Sequence, residues 1–186
     1  MNVLDAIAVQ RIARAYTARA PKRPLVESVV RNASFALSEG AIQPLGVYIF
    51  SGRNLVRATE AALGDEAAAG DVDEDGGEDA ARREKLSFMG APVGLICTMP
   101  KEMDDADILE QGGFIYAISL TAAEFGLAAS VIREFCGMEN RLAAVAGLDV
   151  DAEQISAGLA LGYPEEVRPQ FHDQQPSAIA EALVWR

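Results

Sequence analysis

The stretch from Asp107 to Leu127, DILEQGGFIYAISLTAAEFGL, constrains the fold more than any other part of the chain. Ile108, Ile115, Ile118, Ala122 and Phe125 recur at helical spacing, and no side chain between Phe114 and Ala123 is charged, so a helix here is apolar on most of its circumference. Such a helix belongs in a core. Its apolar run falls short of the roughly 20 residues that cross a bilayer. Glu124 interrupts its end, and Gly126 stands where glycine commonly closes a helix.

A chain of 186 residues that is 50% hydrophobic can bury a real core, and one domain over 1–186 is the expectation. Its net charge of -12 offers no basic field to exchange counterions at phosphates, which argues against nucleic acid, and it disfavours an anionic membrane surface as well. Residues 1–24 carry Arg11, Arg14, Arg19, Lys22 and Arg23 with no apolar core of a signal peptide, so a cytoplasmic location is expected. Cys97 and Cys136 stand outside any CxxC pattern and are expected as free core thiols; neither a disulfide scaffold nor a metal site is indicated.

Along the chain, residues 2–15 fit a short amphipathic helix with a cationic end, and Pro24 to Leu37 a second helix with Leu25, Val29, Ala33 and Ala36 on one face. Gly46 to Phe50 is a strand by its β-branched and aromatic content, and Asn54 to Leu63 a helix. Residues 64–85 contain nine acids among glycine and alanine, the composition of a flexible acidic loop. Asp71, Asp73, Asp75 and Gly76 match the first half of a calcium loop, but Arg82 occupies the position where a bidentate Glu is required, and a solvated loop is the better description. Ala91 to Met99 is a near-continuous apolar strand of the kind buried on both faces. Ala128 to Ile132 is a short strand, Glu139 to Val145 a helix, and Gln154 to Leu161 a further strand. Helices alternating with strands indicate a sheet domain of the α/β or α+β class. A proline-bearing C-terminal arm, 164–186, would lie against another surface, such as a second subunit.

The order of these parts resembles the flavin-dependent nitroreductase family over nearly the full chain. The likeness rests on QRIARAY at 10–16, SEGAIQP at 38–44, GAPV at 90–93, the helix ending AAEFGLA, and LALGYP at 159–164. No one segment is specific; their order and spacing are. The resemblance implies an α+β fold: an α/β/α sandwich around a mixed, mainly antiparallel sheet, forming a domain-intertwined homodimer. It further implies FMN in clefts between the subunits and two-electron transfer from NADH or NADPH to a small-molecule acceptor such as a nitro compound or quinone. A flavin phosphate asks for cationic partners, and the protein otherwise supplies position and field, with no nucleophile or acid–base dyad needed.

Carried over position by position, the resemblance assigns Gln10, Arg11 and Arg14 to the first cofactor motif, with Arg14 beside the flavin ring and Arg11 at the phosphate. Ile12 replaces a serine there. Ser38 and Gln43 stand in the second motif, in which Ala41 replaces an asparagine and Leu45 a tryptophan. A glycine turn that would offer backbone N–H groups to the flavin is here Ile132-Arg133-Glu134-Phe135, so Arg133 and Glu134 enter the site and Glu134 hinders close backbone approach. His172 and Gln174 stand where the family often has two basic residues. Arg11 and Arg14 thus remain where the family has about four cations, each charge-assisted bond contributing roughly 1.5–3 kcal/mol; Arg133, Arg168, Arg82, Arg83 and Lys85 are the candidates to compensate. Without the motif context, Arg11 and Arg14 are an ordinary solvated helix face and His172 an exposed loop side chain.

Three functions remain open: an FMN-dependent oxidoreductase of nitroreductase type, a flavin-free homologue serving as a binding or structural subunit, and a pocket adapted to another ligand because Ile12 and Leu45 make it more apolar.

Overall fold

The structure, a computed structural model, describes Ile7, Ala13 and residues 15–37, 46–64 and 77–165. In chain order these form helix α1 (Arg23–Ala33), strand β1 (Gly46–Ser51), helices α2 (Arg53–Leu63) and α3 (Gly77–Leu86), strand β2 (Val93–Pro100), helix α4 (Asp105–Glu124), strand β3 (Ala128–Ile132), helix α5 (Glu139–Ala146) and strand β4 (Glu153–Gly162). The strands make one sheet in the order β1-β2-β4-β3, and every pairing among the described residues is antiparallel.

Side-chain alternation sends the two faces of the sheet to two cores. Val93, Leu95 and Cys97 of β2 with Leu159 and Leu161 of β4 pack against Val26, Val29 and Ala33 of α1 and Phe114, Ile118 and Ala122 of α4. On the other face Ile96, Ile155 and Ala160 meet Ala58 and Ala62 of α2, Leu86 of α3, Leu142 of α5, and the rings of Phe88 and Phe135. Those two rings are stacked with centroids 4.6 Å apart. They rest on glycine: a Cβ at Gly94 would lie 2.6 Å from Phe88, and one at Gly158 would lie 2.3 Å from Phe135. The result is the helix–sheet–helix layering expected of the α+β class, with β2 buried from Val93 to Thr98.

The strand β4 carries one extra residue. Cys97 pairs with Ala157 and Thr98 with Ile155, which makes Ser156 a β-bulge. Its hydroxyl donates to the Cys97 carbonyl at 3.0 Å and accepts from Gln111 Nε2 of α4 at 2.6 Å. On the opposite side of the bulge the Ile155 N–H donates to the Glu139 carboxylate of α5 at 2.7 Å. One irregularity thus anchors a helix on each face.

Helix α4 begins with a capping box: the Asp107 N–H donates to Asp104 and the Asp104 N–H to Asp107, both at 3.0 Å. It ends at Gly126, whose φ of 72° suits glycine. The expectation that this helix is buried around its circumference needs correction. Phe114, Ile118 and Ala122 are buried, but Ile108, Leu109, Tyr116 and Phe125 are exposed, as are Gly112 and Gly113. As an outer layer of the sandwich, α4 has the sheet and α1 on one flank, and no described residue covers the other.

Three further expectations change. Residues 77–86 are helical where an acidic loop was expected; Glu78 and Asp79 in the first turn and Arg83 and Lys85 in the last complement the helix dipole. Helix α1 gives way at Ser34 to a 3-10 turn, which rotates Ala36 out to solvent instead of continuing the Leu25–Val29–Ala33 face. Cys97 is a core thiol, with burial raising its pKa to about 12, whereas Cys136 is exposed. Asp71, Asp73 and Asp75 lie outside the described residues, and Arg82 sits within α3. No helix among the described residues is long and apolar enough to cross a membrane.

Candidate functional site

The two ends of the described chain meet beside β3. Thr17 N–H donates to the Tyr163 carbonyl at 2.8 Å and Glu165 N–H to the Ala15 carbonyl at 3.0 Å, bracketing a bridge between Tyr16 and Pro164. Tyr16 is the anchor: its buried hydroxyl lies 2.8 Å from Ser130 Oγ and donates to the Ala160 carbonyl at 3.0 Å. Burial, offset in part by the bonds to Ser130, raises its pKa to about 12. Arg19 lies 4.3 Å over the Tyr163 ring. Thr17 Oγ1 is buried beside this bridge with no hydrogen-bond partner among the described residues.

β3 is an edge strand, and at its far end the chain turns through Arg133–Phe135. Phe135 goes down onto Gly158 and leaves Arg133 exposed. Glu134 reaches across to α3 and pairs with Lys85. Burial by itself would raise the Glu134 pKa; bonds from Lys85 and from its own N–H, with the charges of Lys85 and Arg133, outweigh that and hold it below the usual range. Next in the chain, Cys136 donates to the Ser156 carbonyl at 3.2 Å, and burial first, then Glu139, raises its thiol pKa, so it remains protonated near neutrality.

Of the residues assigned from sequence, Arg133 and Glu134 therefore share this turn. Gln10, Arg11, Arg14, Ser38, Gln43, His172 and Gln174 lie outside the described residues, as does Arg168. The Lys85–Glu134 pair joins positions 49 residues apart, and no local pattern announces it. A second feature escaped the sequence too: an open cavity of about 340 Å³ lined by Ser51, Arg53, Asn54 and Arg57. It lies at the end of β1, on the sheet edge opposite the Arg133–Phe135 turn. Among the described residues there is no cluster of metal-ligating side chains.

The sequence pattern of the nitroreductase family matches residues 7–163. The chain belongs to the nitroreductase family. Among solved structures of similar fold, the FMN- and NADPH-dependent nitroreductase NfnB from Sphigopyxis sp. strain HMH has a TM-score of 0.85 at 20% identity, covering 100% of this chain and 99% of that one. NfnB from Mycobacterium smegmatis, solved in complex with NADPH, has a TM-score of 0.78 at 17% identity over 98% of this chain and 97% of its own. A nitroreductase with bound FMN from Desulfitobacterium hafniense scores 0.76 at 17% identity, covering 100% and 99%. In sequence, a 4-nitrobenzoate reductase from Pseudomonas putida is 29% identical over 99 residues, 53% of this chain and 43% of that protein. The matched stretch thus spans less than half of that curated relative. These likenesses bear out the nitroreductase fold expected from the order of the sequence segments.

Proposed function

We propose that the protein is an FMN-dependent oxidoreductase that takes two electrons from NADH or NADPH and passes them to a small-molecule acceptor such as a nitro compound or quinone. The observation that carries this is the family match, which runs from residue 7 to residue 163 and so includes both Tyr16 and the turn after β3. When bound, FMN supplies the two-electron exchange between donor and acceptor. The described residues fit a flavin nucleotide in chemistry: exposed Arg133 brings positive charge to the turn, where Lys85 offsets the Glu134 carboxylate, and the Thr17 hydroxyl, without a partner among the described residues, offers a polar group beside the Tyr16–Pro164 bridge.

In this reading Arg11 and Gln10 hold the phosphate end, with His172 and Gln174 contributing from the arm. Arg14, Ser38 and Gln43 orient the ring, and Arg133 and Glu134 flank it. The chain's part in the chemistry is to bind, to orient and to shape the local charge. A homodimer completes the site, supported by the apolar flank of α4 that no described residue covers: Leu109 is 78% exposed and Tyr116 45%, with Gly112 and Gly113 between them permitting close approach of a second helix. Purified protein should show flavin absorption bands, or acquire them on adding FMN, and should oxidise NAD(P)H in the presence of a nitroaromatic or quinone. Colourless protein that takes up no FMN would refute the proposal.

The alternative is a flavin-free nitroreductase homologue acting as a binding or structural subunit. Its support is the carboxylate of Glu134 at a turn next to the proposed flavin. Calorimetry with FMN separates the two, since this alternative expects no heat and an intact dimer.

A further inference from the structure

We infer that Lys85 is a positioning residue for the cofactor site, holding the Glu134 carboxylate toward α3 and cancelling its charge where an anionic cofactor must bind. This rests on the proposal that FMN sits against the Arg133–Phe135 turn. Two observations carry it. First, the ion pair is not what keeps α3 and the turn together. Phe88, just after α3, stacks on Phe135 at 4.6 Å, and both rings are fully buried. The aromatic contact fixes the spacing, while the pair itself is partly solvated, with side-chain exposures of 46% and 27%, where ion pairs add little to stability. Secondly, the turn has charge on both sides: Arg133 is exposed, Glu134 is oriented by Lys85, and Glu139 lies near enough to affect the neighbouring Cys136 thiol. Removing Lys85 would take away the cation that bonds the carboxylate and leave Arg133 acting on it through charge alone, so that more negative potential at the rim would oppose both a phosphate and the negative charge that builds on a reduced flavin.

The test is a double-mutant cycle on the full chain, reading FMN affinity by fluorescence quenching and the flavin midpoint potential at low ionic strength. Lys85→Met should weaken FMN binding by about tenfold and lower the potential; Glu134→Gln should tighten binding and raise it; the double variant should return close to wild type. A tenfold preference between oxidation states corresponds to about 30 mV for a two-electron couple. A purely structural pair would instead lower the melting temperature in both single variants and leave the potentials in place. Wild type that binds FMN while Lys85→Met and Glu134→Gln shift the potential in the same direction, or not at all, overturns the role of Lys85 and leaves the flavin proposal standing. Wild type that binds no FMN overturns both.

Discussion

Gly158→Ala tests how tightly the turn is seated on the sheet. The added carbon would lie 2.3 Å from the Phe135 ring, roughly 1 Å inside the ~3.5 Å at which carbons pack. Movement of that ring is limited by Phe88, which is stacked on it at 4.6 Å and already lies 2.6 Å from where a Cβ on Gly94 would be. Overpacking of this kind costs about 1–3 kcal/mol, offset by roughly 0.5–1 kcal/mol because alanine loses less backbone entropy than glycine in a strand. The net expectation is a loss of roughly 0–2.5 kcal/mol, or a melting temperature lower by up to about 10 °C for a chain of this length. Thermal and urea unfolding followed by circular dichroism measure it. The decisive comparison is with Phe135→Leu. Once the ring is gone, Gly158→Ala should cost far less, giving a coupling of at least about 1 kcal/mol in the double-mutant cycle. If Gly158→Ala melts above the wild-type temperature, or adds independently to Phe135→Leu, the packing argument is wrong.

Three other outcomes are expected. Tyr16, with its pKa raised to about 12 from 10.0 by burial, stays protonated in the fold after the unfolded chain has released its proton. The Tyr16 contribution should therefore be intact below pH 10 and fall by up to roughly 3 kcal/mol as the pH rises toward 12, on top of a Cys97 loss that begins near pH 9. Cys97, raised from 9.0 to about 12, adds slope of the same sign. Tyr16→Phe, destabilised at neutral pH by about 1 kcal/mol for its lost hydroxyl bonds, should show a shallower alkaline decline in urea titrations, and identical slopes would count against the assignment. Glu139→Ala removes the acceptor of the Ile155 N–H at the bulge and should cost about 1–3 kcal/mol, with Glu139→Gln much milder; equal effects would show that the bond is unimportant. Leu109→Arg combined with Tyr116→Arg should convert the proposed dimer to a monomer in light scattering with little change in circular dichroism, whereas a dimer mass unchanged by the substitutions would place the subunit contact elsewhere.

What could be read beforehand followed from local pattern. The strand Ala128 to Ile132 emerged with those bounds, and the apolar run Ala91 to Met99 became the buried strand Val93–Pro100, because β-branched content and continuous hydrophobicity are local signals. The helix at 77–86 was hidden by acidic composition, although Glu78, Asp79, Arg83 and Lys85 are placed as a helix prefers them. The exposure of Ile108 and Phe125 could not be seen either, since an apolar side chain says nothing of which neighbour covers it. Arg133 and Glu134 were assigned to the proposed site through a segment resembling a known family. Their relation to Lys85 depends on how α3 folds across the sheet, and that is a long-range fact.

The extra residue in β4 lets a single strand serve two phases of alternation. From Ala157 onward the odd positions Leu159 and Leu161 join the layer of α1 and α4, yet Ile155, also odd, joins the layer of α2 and α5. Deleting Ser156 would therefore leave every one of these side chains on its own face, with Ile155 and Ala157 as ordinary neighbours opposite Thr98 and Cys97; what would vanish is the hydroxyl that ties Gln111 to the Cys97 carbonyl, and with it a tether between α4 and the sheet.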